Sequence, residues 1–124
     1  MQAKDVMTSP VLTVAPEASV MEVARLLLER HISAAPVVDE SGKLLGVFTS
    51  GDFARLMERE HDPFGVPLER VMTRTPRTAQ AEELGSAVVY RMEQFGIMAM
   101  PVTDETGSVV GVVHLHDLMR AGVA

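Results

Sequence analysis

Residues 31–55 read HISAAPVVDESGKLLGVFTSGDFAR, and residues 96–120 read GIMAMPVTDETGSVVGVVHLHDLMR. A shift of 65 positions aligns the two stretches without a gap, with identical residues at 11 of 25 positions. Upstream, Val6-Met7-Thr8 recurs as Val71-Met72-Thr73. Repetition at a fixed spacing indicates two copies of one structural unit. The sequence therefore predicts repeats at residues 1–60 and 68–124, joined by a linker at 61–67 that contains Pro63, Gly65 and Pro67.

Hydrophobic periodicity predicts the element order β-α-β-β-α in each copy. The first helix of each copy is expected to bury an apolar stripe. In the first copy the helix follows the capping residue Ser19, and its stripe consists of Val20, Val23, Ala24, Leu27 and Leu28. In the second copy the helix is predicted at residues 81–95, and its stripe consists of Leu84, Val88, Met92 and Phe95. Two strands follow each helix, at 35–38 and 44–48 and at 99–103 and 109–113, and a final helix begins near Gly51 or His116. The predicted fold class is α/β (α+β), with the two units packed sheet to sheet because each is small and short of apolar residues.

Composition limits the classes of function. Seventeen acidic and eleven basic residues give a net charge of −6 without a run of Lys or Arg, which argues against binding to nucleic acid or an anionic membrane. The lack of cysteine excludes disulfides, thiolate metal sites and thiol nucleophiles. Neither a signal peptide nor an apolar stretch long enough to span a bilayer is present, so a cytoplasmic protein is expected.

The most specific local feature is the segment Gly46-Val47-Phe48-Thr49-Ser50-Gly51-Asp52, at the junction of a strand and a helix. Gly46 lets its strand lie beside another backbone, and Thr49 with Asp52 fits a capping box. The amides at a helix start can bind phosphate, and an Asp52 carboxylate can accept hydrogen bonds from two ribose hydroxyls. Arg55 and its counterpart Arg120 could supply positive charge for a phosphate group, or they could be solvated arginines on a helix face. The alternative is that Thr49 and Asp52 only cap the helix.

Together these motifs resemble the tandem CBS domain, or Bateman module, from Asp5 to about Arg120. The matching order is Met-Thr near the start, a helix, Pro-Val-Val-Asp, and Gly-hydrophobic-hydrophobic-Thr-x-x-Asp. The resemblance implies two β-α-β-β-α units related by a pseudo-twofold axis, with two clefts between them. It also implies a regulatory module, not an enzyme, that binds AMP, ADP, ATP or S-adenosylmethionine and controls an attached or partner protein. A homodimer formed through the helices, with exposed Met and Leu on the terminal helices, is expected as well.

The resemblance further implies the ligand-binding residues. They are Thr13, Ser33, Ala34, Thr49, Gly51 and Asp52 in the first cleft, and Thr78, Met98, Ala99, His114, His116 and Asp117 in the second. Asp52 would hold the ribose hydroxyls, and Thr49 would contact phosphate or ribose. The second cleft departs from the family pattern because His114 replaces the expected Ser or Thr. We therefore expect this cleft to bind another ligand, to bind only at lower pH, or to stay empty.

The segment His114-x-His116-Asp117 must also be weighed as a metal site. Residues two apart on a strand share a face, and imidazole binds zinc or nickel. A closed site needs a third or fourth ligand, however, and the remaining histidines, His31 and His61, have no motif around them. A nucleotide contact or a structural role is preferred, so the sequence predicts neither a metal site nor an obligatory cofactor.

Residues 111–122, GVVHLHDLMRAG, resemble the C-terminus of bacterial arabinose-5-phosphate isomerases. Those enzymes place a sugar-isomerase domain before a CBS pair, and residues 46–52 also fit their first repeat. The catalytic domain is missing from this sequence, so the chain is either a fragment of such an enzyme or a free-standing relative. Two alternatives follow from this: a regulatory C-terminal fragment that binds a sugar-nucleotide effector, and a dimerisation module with degenerate clefts.

Overall fold

The computed structural model describes residues 1–59, 62–63 and 65–122, which form a mixed α/β structure with two three-stranded sheets. In chain order the elements are α1 (Ala3–Val6), α2 (Val20–Arg30), β1 (Ala34–Val38), β2 (Leu44–Thr49), α3 (Ser50–Arg59), a 3₁₀ helix (Leu68–Arg70), β3 (Thr73–Arg74), β4 (Ala79–Gln80), α4 (Gly85–Phe95), β5 (Ala99–Thr103), β6 (Val109–His114) and α5 (Leu115–Arg120). The predicted order helix, strand, strand, helix is confirmed in each copy, and the four main strands begin and end within one residue of their predicted bounds. Among the described residues, the initial strand predicted for the first copy is reduced to an isolated bridge between Val14 and Val37. None of the described helices is both long and apolar enough to cross a membrane.

The chain forms two compact units, and these differ from the two sequence repeats. One unit is Leu12–Pro76, and the other combines Met1–Val11 with Arg77–Ala124. The first eleven residues belong to the second unit because the backbone of Thr8 pairs with Val112 in β6. The predicted linker falls partly on His61 and Phe64, which lie outside the described residues.

The core of the unit Leu12–Pro76 is formed by α2 against the sheet β1-β2-β3. Ser19 caps α2 as predicted, because its Oγ accepts a hydrogen bond from the backbone N–H of Glu22 at 3.2 Å. Val23 and Leu27 are buried in the same cluster as Phe48. The prediction that Leu28 also lies on the buried stripe is wrong: this side chain is 77% exposed, since it lies more than a quarter turn round the helix from Leu27.

In the second unit, α4 packs on the sheet β4-β5-β6. The helix begins at Gly85 and not at the predicted residue 81, because residues 79–80 pair with β5 and a turn follows them. Val88 and Met92 are buried as predicted. Leu84 and Phe95 are exposed, which corrects the predicted stripe: Leu84 precedes the helix, and the Phe95 ring lies outside the core, 3.4 Å from its centroid to the guanidinium carbon of Arg77.

Glycines in β2 and β6 allow a distant segment of the chain to lie against each sheet. A Cβ atom on Gly46 would lie 2.7 Å from the carbonyl oxygen of Thr73, and one on Gly111 would lie 2.9 Å from that of Thr8. Side chains essentially never tolerate such distances to backbone. The predicted close approach of another backbone at Gly46 is confirmed. The approaching segments are the repeated Met-Thr sequences, with Thr73 beside Gly46 and Thr8 beside Gly111.

Candidate ligand-binding sites

The first candidate site lies where β2 runs into α3, within the unit Leu12–Pro76. Ala34 pairs with Thr49 across the sheet, and the carbonyl of Ser33 accepts a hydrogen bond from the backbone N–H of Ser50 at 2.9 Å. These contacts gather five of the six residues that the sequence assigned to this site: Ser33, Ala34, Thr49, Gly51 and Asp52.

Thr13, the sixth residue, is placed differently. It is exposed and precedes Val14, which pairs in parallel with Val37 near the far end of β1. Thr13 lines a shallow depression on the surface of the unit, together with Asp39 and Leu45. The structure therefore does not bring Thr13 into the group around Asp52.

The carboxylate of Asp52 is buried, with the residue only 6% exposed, and both of its oxygens accept hydrogen bonds. The backbone N–H of Thr49 donates to Oδ2 at 3.0 Å, while Thr49 Oγ1 accepts from the backbone N–H of Asp52 at 3.0 Å, which completes the capping box. Arg55 donates to Oδ1 at 2.5 Å, and Thr73 Oγ1 lies 3.1 and 3.3 Å from the two oxygens. These three donors therefore occupy most of the roughly four acceptor positions of an ionised carboxylate.

The second candidate site lies where β6 runs into α5. The backbone follows the same pattern as in the first unit: Ala99 pairs with His114, and the carbonyl of Met98 accepts a hydrogen bond from the N–H of Leu115 at 2.9 Å. These contacts gather five of the six assigned residues: Met98, Ala99, His114, His116 and Asp117.

Asp117 is in a different state from its counterpart Asp52. Its side chain is 39% exposed, and its nearest basic partner is His114, whose Nδ1 lies 3.6 Å from the carboxylate. The guanidinium of Arg120 donates to Nε2 of His116 at 2.5 Å and does not pair with Asp117. In the part of the chain that the structure describes, Thr8 makes no side-chain hydrogen bond to Asp117, unlike its counterpart Thr73. The carboxylate of Asp117 is therefore accessible to a ligand without displacing an internal donor.

The strand-face geometry considered for a metal site is wrong. His114 is the last residue of β6, whereas His116 belongs to α5, so the two imidazoles do not share a strand face. Across residues 1–59, 62–63 and 65–122, no group of three or more His, Asp or Glu side chains is placed to hold a metal ion.

Thr78 is fixed by an ion pair that the sequence analysis missed. Arg91 donates to the carbonyl of Thr78 at 2.6 Å and pairs with Glu83, which also accepts from the backbone N–H of Gln80 at 2.9 Å. Partial burial disfavours the charged form of Glu83, but the bonds from Arg91 and Gln80 outweigh it, and the pKa of Glu83 lies below its ordinary value. The equivalent pair in the first copy is Ala18 and Leu26, so the repeat pattern could not reveal this contact.

The comparison with protein families identifies the fold. A family model described as CBS domain matches residues 3–59 and 68–124. This chain belongs to the CBS domain family. The match confirms the resemblance noted in the sequence, and it covers both copies.

Curated proteins similar to this CBS chain are much longer. The chain is 35% identical over 117 residues to L-aspartate semialdehyde sulfurtransferase of Methanocaldococcus jannaschii, covering 94% of this chain and 22% of the relative. It is 38% identical over 105 residues to arabinose 5-phosphate isomerase of Pseudomonas aeruginosa, covering 85% and 31%. The chain therefore spans about a fifth to a third of the length of these relatives. The predicted resemblance to arabinose-5-phosphate isomerases is confirmed.

Solved structures of CBS pairs superpose on nearly the whole chain. The CBS domain pair of protein MJ0100, in complex with 5′-methylthioadenosine and S-adenosyl-L-methionine, has a TM-score of 0.91 and 34% identity and covers 98% of this chain and 95% of the other. CBSX2 in complex with AMP has a TM-score of 0.84 with 23% identity, covers 98% and 95%, and supports the fold alone.

Proposed function

We propose that this CBS pair is a regulatory module that binds an adenosine-type ligand, AMP, ADP, ATP or S-adenosylmethionine, and controls an attached or partner protein. The observation that carries the proposal is the 34% identity, over 98% of the chain, to a CBS pair crystallised with two adenosine-type ligands. The two carboxylates that follow a strand at equivalent positions, Asp52 and Asp117, support it because a carboxylate can accept hydrogen bonds from both ribose hydroxyls.

In the first site, ligand binding would exchange one internal contact for two new ones. Arg55 is the donor to Asp52 that moves most easily, because its side chain is 60% exposed and rotatable. A ribose hydroxyl that takes its place on Oδ1 releases the guanidinium. The released guanidinium can then pair with a phosphate group, since Arg binds phosphate through charge-assisted hydrogen bonds.

The proposal predicts that an adenosine-type ligand raises the melting temperature. A ligand that binds only the folded state, at about one hundred times its Kd, adds about 2.7 kcal/mol of stability. The measurement is a thermal-shift series with AMP, ADP, ATP, S-adenosylmethionine and, for the sugar-nucleotide alternative, cytidine nucleotides. If none of them raises the melting temperature at millimolar concentration, the proposal fails.

A matched pair of variants tests whether the sites act as proposed. Asp117→Asn removes an accessible charge without removing an internal hydrogen bond, and we expect it to reduce the ligand-induced shift. Glu105→Gln makes the same change of charge at an exposed turn and is expected to leave the shift unchanged. Equal shifts in both variants would place binding away from Asp117.

We also propose that the chain forms a homodimer through α2 and α3, because these helices form a mainly apolar groove. Its lining includes Met21, Ala24, Leu28, Ile32 and Phe53, with Arg25, His31 and Ser50 as its polar members. Leu28 and Met21 in this groove are 77% and 44% exposed, and a contiguous exposed apolar patch is typical of an interaction surface. We expect Leu28→Glu to convert a dimer to a monomer in light scattering coupled to size-exclusion chromatography. The control Leu45→Glu changes an exposed Leu outside this groove and is expected to keep the dimer. A wild-type monomer at high micromolar concentration would contradict the proposal.

A further inference from the structure

The segment Met1–Val11 lies in a groove of the second unit, which we call the docking groove and which is formed by residues 81–85 and β6. Backbone hydrogen bonds hold the segment at two points. The N–H of Ala3 donates to the carbonyl of Glu83 at 2.8 Å. Thr8 and Val112 each donate to the other, at 2.8 and 3.2 Å. The segment is therefore paired with the groove as a short added strand would be.

The side chains of the segment complete the core of this unit. Ala3 is fully buried and belongs to the same cluster as Met92 and Val113, and Met7 packs against that cluster. Gly111 leaves the room that the segment needs, since a Cβ atom there would lie only 2.6 Å from Sδ of Met7. Without the segment, the docking groove would expose both apolar surface and an unpaired strand edge.

The joint between the segment and the unit Leu12–Pro76 has no such pairing. Residues 9–13 belong to no helix or strand, and among the described residues they form no hydrogen bond. Pairing resumes at Val14, which lies beside Val37 of β1. A change of chain direction at the joint therefore breaks no hydrogen bond, while the segment and the docking groove keep all of theirs.

We propose that the docking groove also accepts the segment Met1–Val11 of a second copy of this chain, so that two molecules exchange segments. Because the second copy has the same sequence, every contact between segment and groove in the exchanged form is one already observed. Exchange of an identical element is a low-cost route to association for this reason. It depends neither on ligand binding nor on the apolar groove between α2 and α3.

The lack of cysteine in this chain allows the exchange to be measured with single cysteines. Opposed residues that exchange both backbone hydrogen bonds, as Thr8 and Val112 do, have Cα atoms about 5.5 Å apart, within the range of a disulfide. Thr8→Cys and Val112→Cys chains, one of them tagged, are mixed in a buffer of reduced and oxidised glutathione. Non-reducing electrophoresis then measures the disulfide between the two chains. The double variant Thr8→Cys/Val112→Cys should form the same bond within one chain.

Control variants separate exchange from random collision. A mixture of Thr8→Cys with Thr106→Cys, at an exposed turn, gives the background. We expect Val112→Cys to exceed it, although Val112 is only 3% exposed. Adding Ala3→Glu to the Thr8→Cys chain should remove the whole excess, because its segment then carries a charge to a fully buried position. Lys4→Glu places the same side chain at an exposed neighbour and should retain the excess.

The acceptor chain is the same in these last two mixtures, so its unfolding does not explain a difference between them. A yield for Thr8→Cys with Val112→Cys that stays at background, while the double variant oxidises within one chain, means that the segment docks only in its own molecule, and the proposal is overturned. It is overturned as well if Ala3→Glu retains the excess. If the double variant does not oxidise, the pairing on which the exchange depends is absent and the proposal falls.

Discussion

Replacing Asp52 by alanine is expected to lower the free energy of unfolding by about 2–3 kcal/mol in the absence of ligand. The change removes the acceptor for the Thr49 amide, which is worth about 1 kcal/mol as a helix cap. It also removes the charged acceptor for Thr73 inside the unit. Arg55 can turn to solvent and contributes little to the loss. Urea denaturation followed by circular dichroism measures the difference.

The second copy supplies the matched control. Asp117→Ala is expected to cost less than about 1 kcal/mol, because this carboxylate is 39% exposed and makes a single distant contact with His114. Asp52→Asn should fall between the two, since an amide oxygen can still accept from Thr49. Equal losses of unfolding free energy in Asp52→Ala and Asp117→Ala would mean that the different burial and hydrogen bonding of the two carboxylates do not affect stability.

The largest loss of stability is expected for Phe48→Ala, at about 3–5 kcal/mol. Phe48 is fully buried and is the largest side chain in the core of its unit, where it packs in one cluster with Leu56 and Leu68. Truncation removes the apolar surface of the ring and leaves a cavity that the surrounding side chains only partly fill. The urea concentration at the midpoint of denaturation should fall. If the cavity admits water, the heat-capacity change of unfolding should fall as well.

Phe95→Ala is the same substitution on an exposed ring. Phe95 is 43% exposed, and the guanidinium of Arg77 lies over its ring, a cation–π pair worth about 0.5–1 kcal/mol. We therefore expect a loss of less than about 1.5 kcal/mol. A loss as large as that for Phe48→Ala would show that the burial observed for these two rings does not determine their contributions.

The repeat made most of the fold predictable. Because the two copies align without a gap from residue 31 and from residue 96, each of the four main strands could be checked against its counterpart, and their bounds differ from the structure by at most one residue. Periodicity was less reliable at helix ends. Leu84 fits an apolar stripe in sequence, but β4 uses the preceding residues for pairing and leaves Leu84 before the helix.

The contacts within the sites were harder to predict than their positions. Thr73 reaches Asp52 only because β3 pairs with β2, and this register depends on residues more than twenty positions apart. The repeated Met-Thr segment was the available signal, although nothing in it indicates a bond to Asp52. Likewise, Asp52 and Asp117 occupy equivalent positions in the alignment of the two copies. Their hydrogen bonding differs because Thr49 completes a capping box with Asp52, whereas His114 makes no capping hydrogen bond.

The pairing of Thr8 with Val112 has a consequence for how the chain is made. The unit Leu12–Pro76 is continuous, so all its strands have left the ribosome once residue 76 has emerged. Met1–Val11, in contrast, precedes that unit in the chain yet docks on a sheet whose last strand ends at His114. Domains generally fold in order of synthesis, so these eleven residues wait without a partner while the unit that follows them folds. This segment is thus among the last parts of its unit to reach its place.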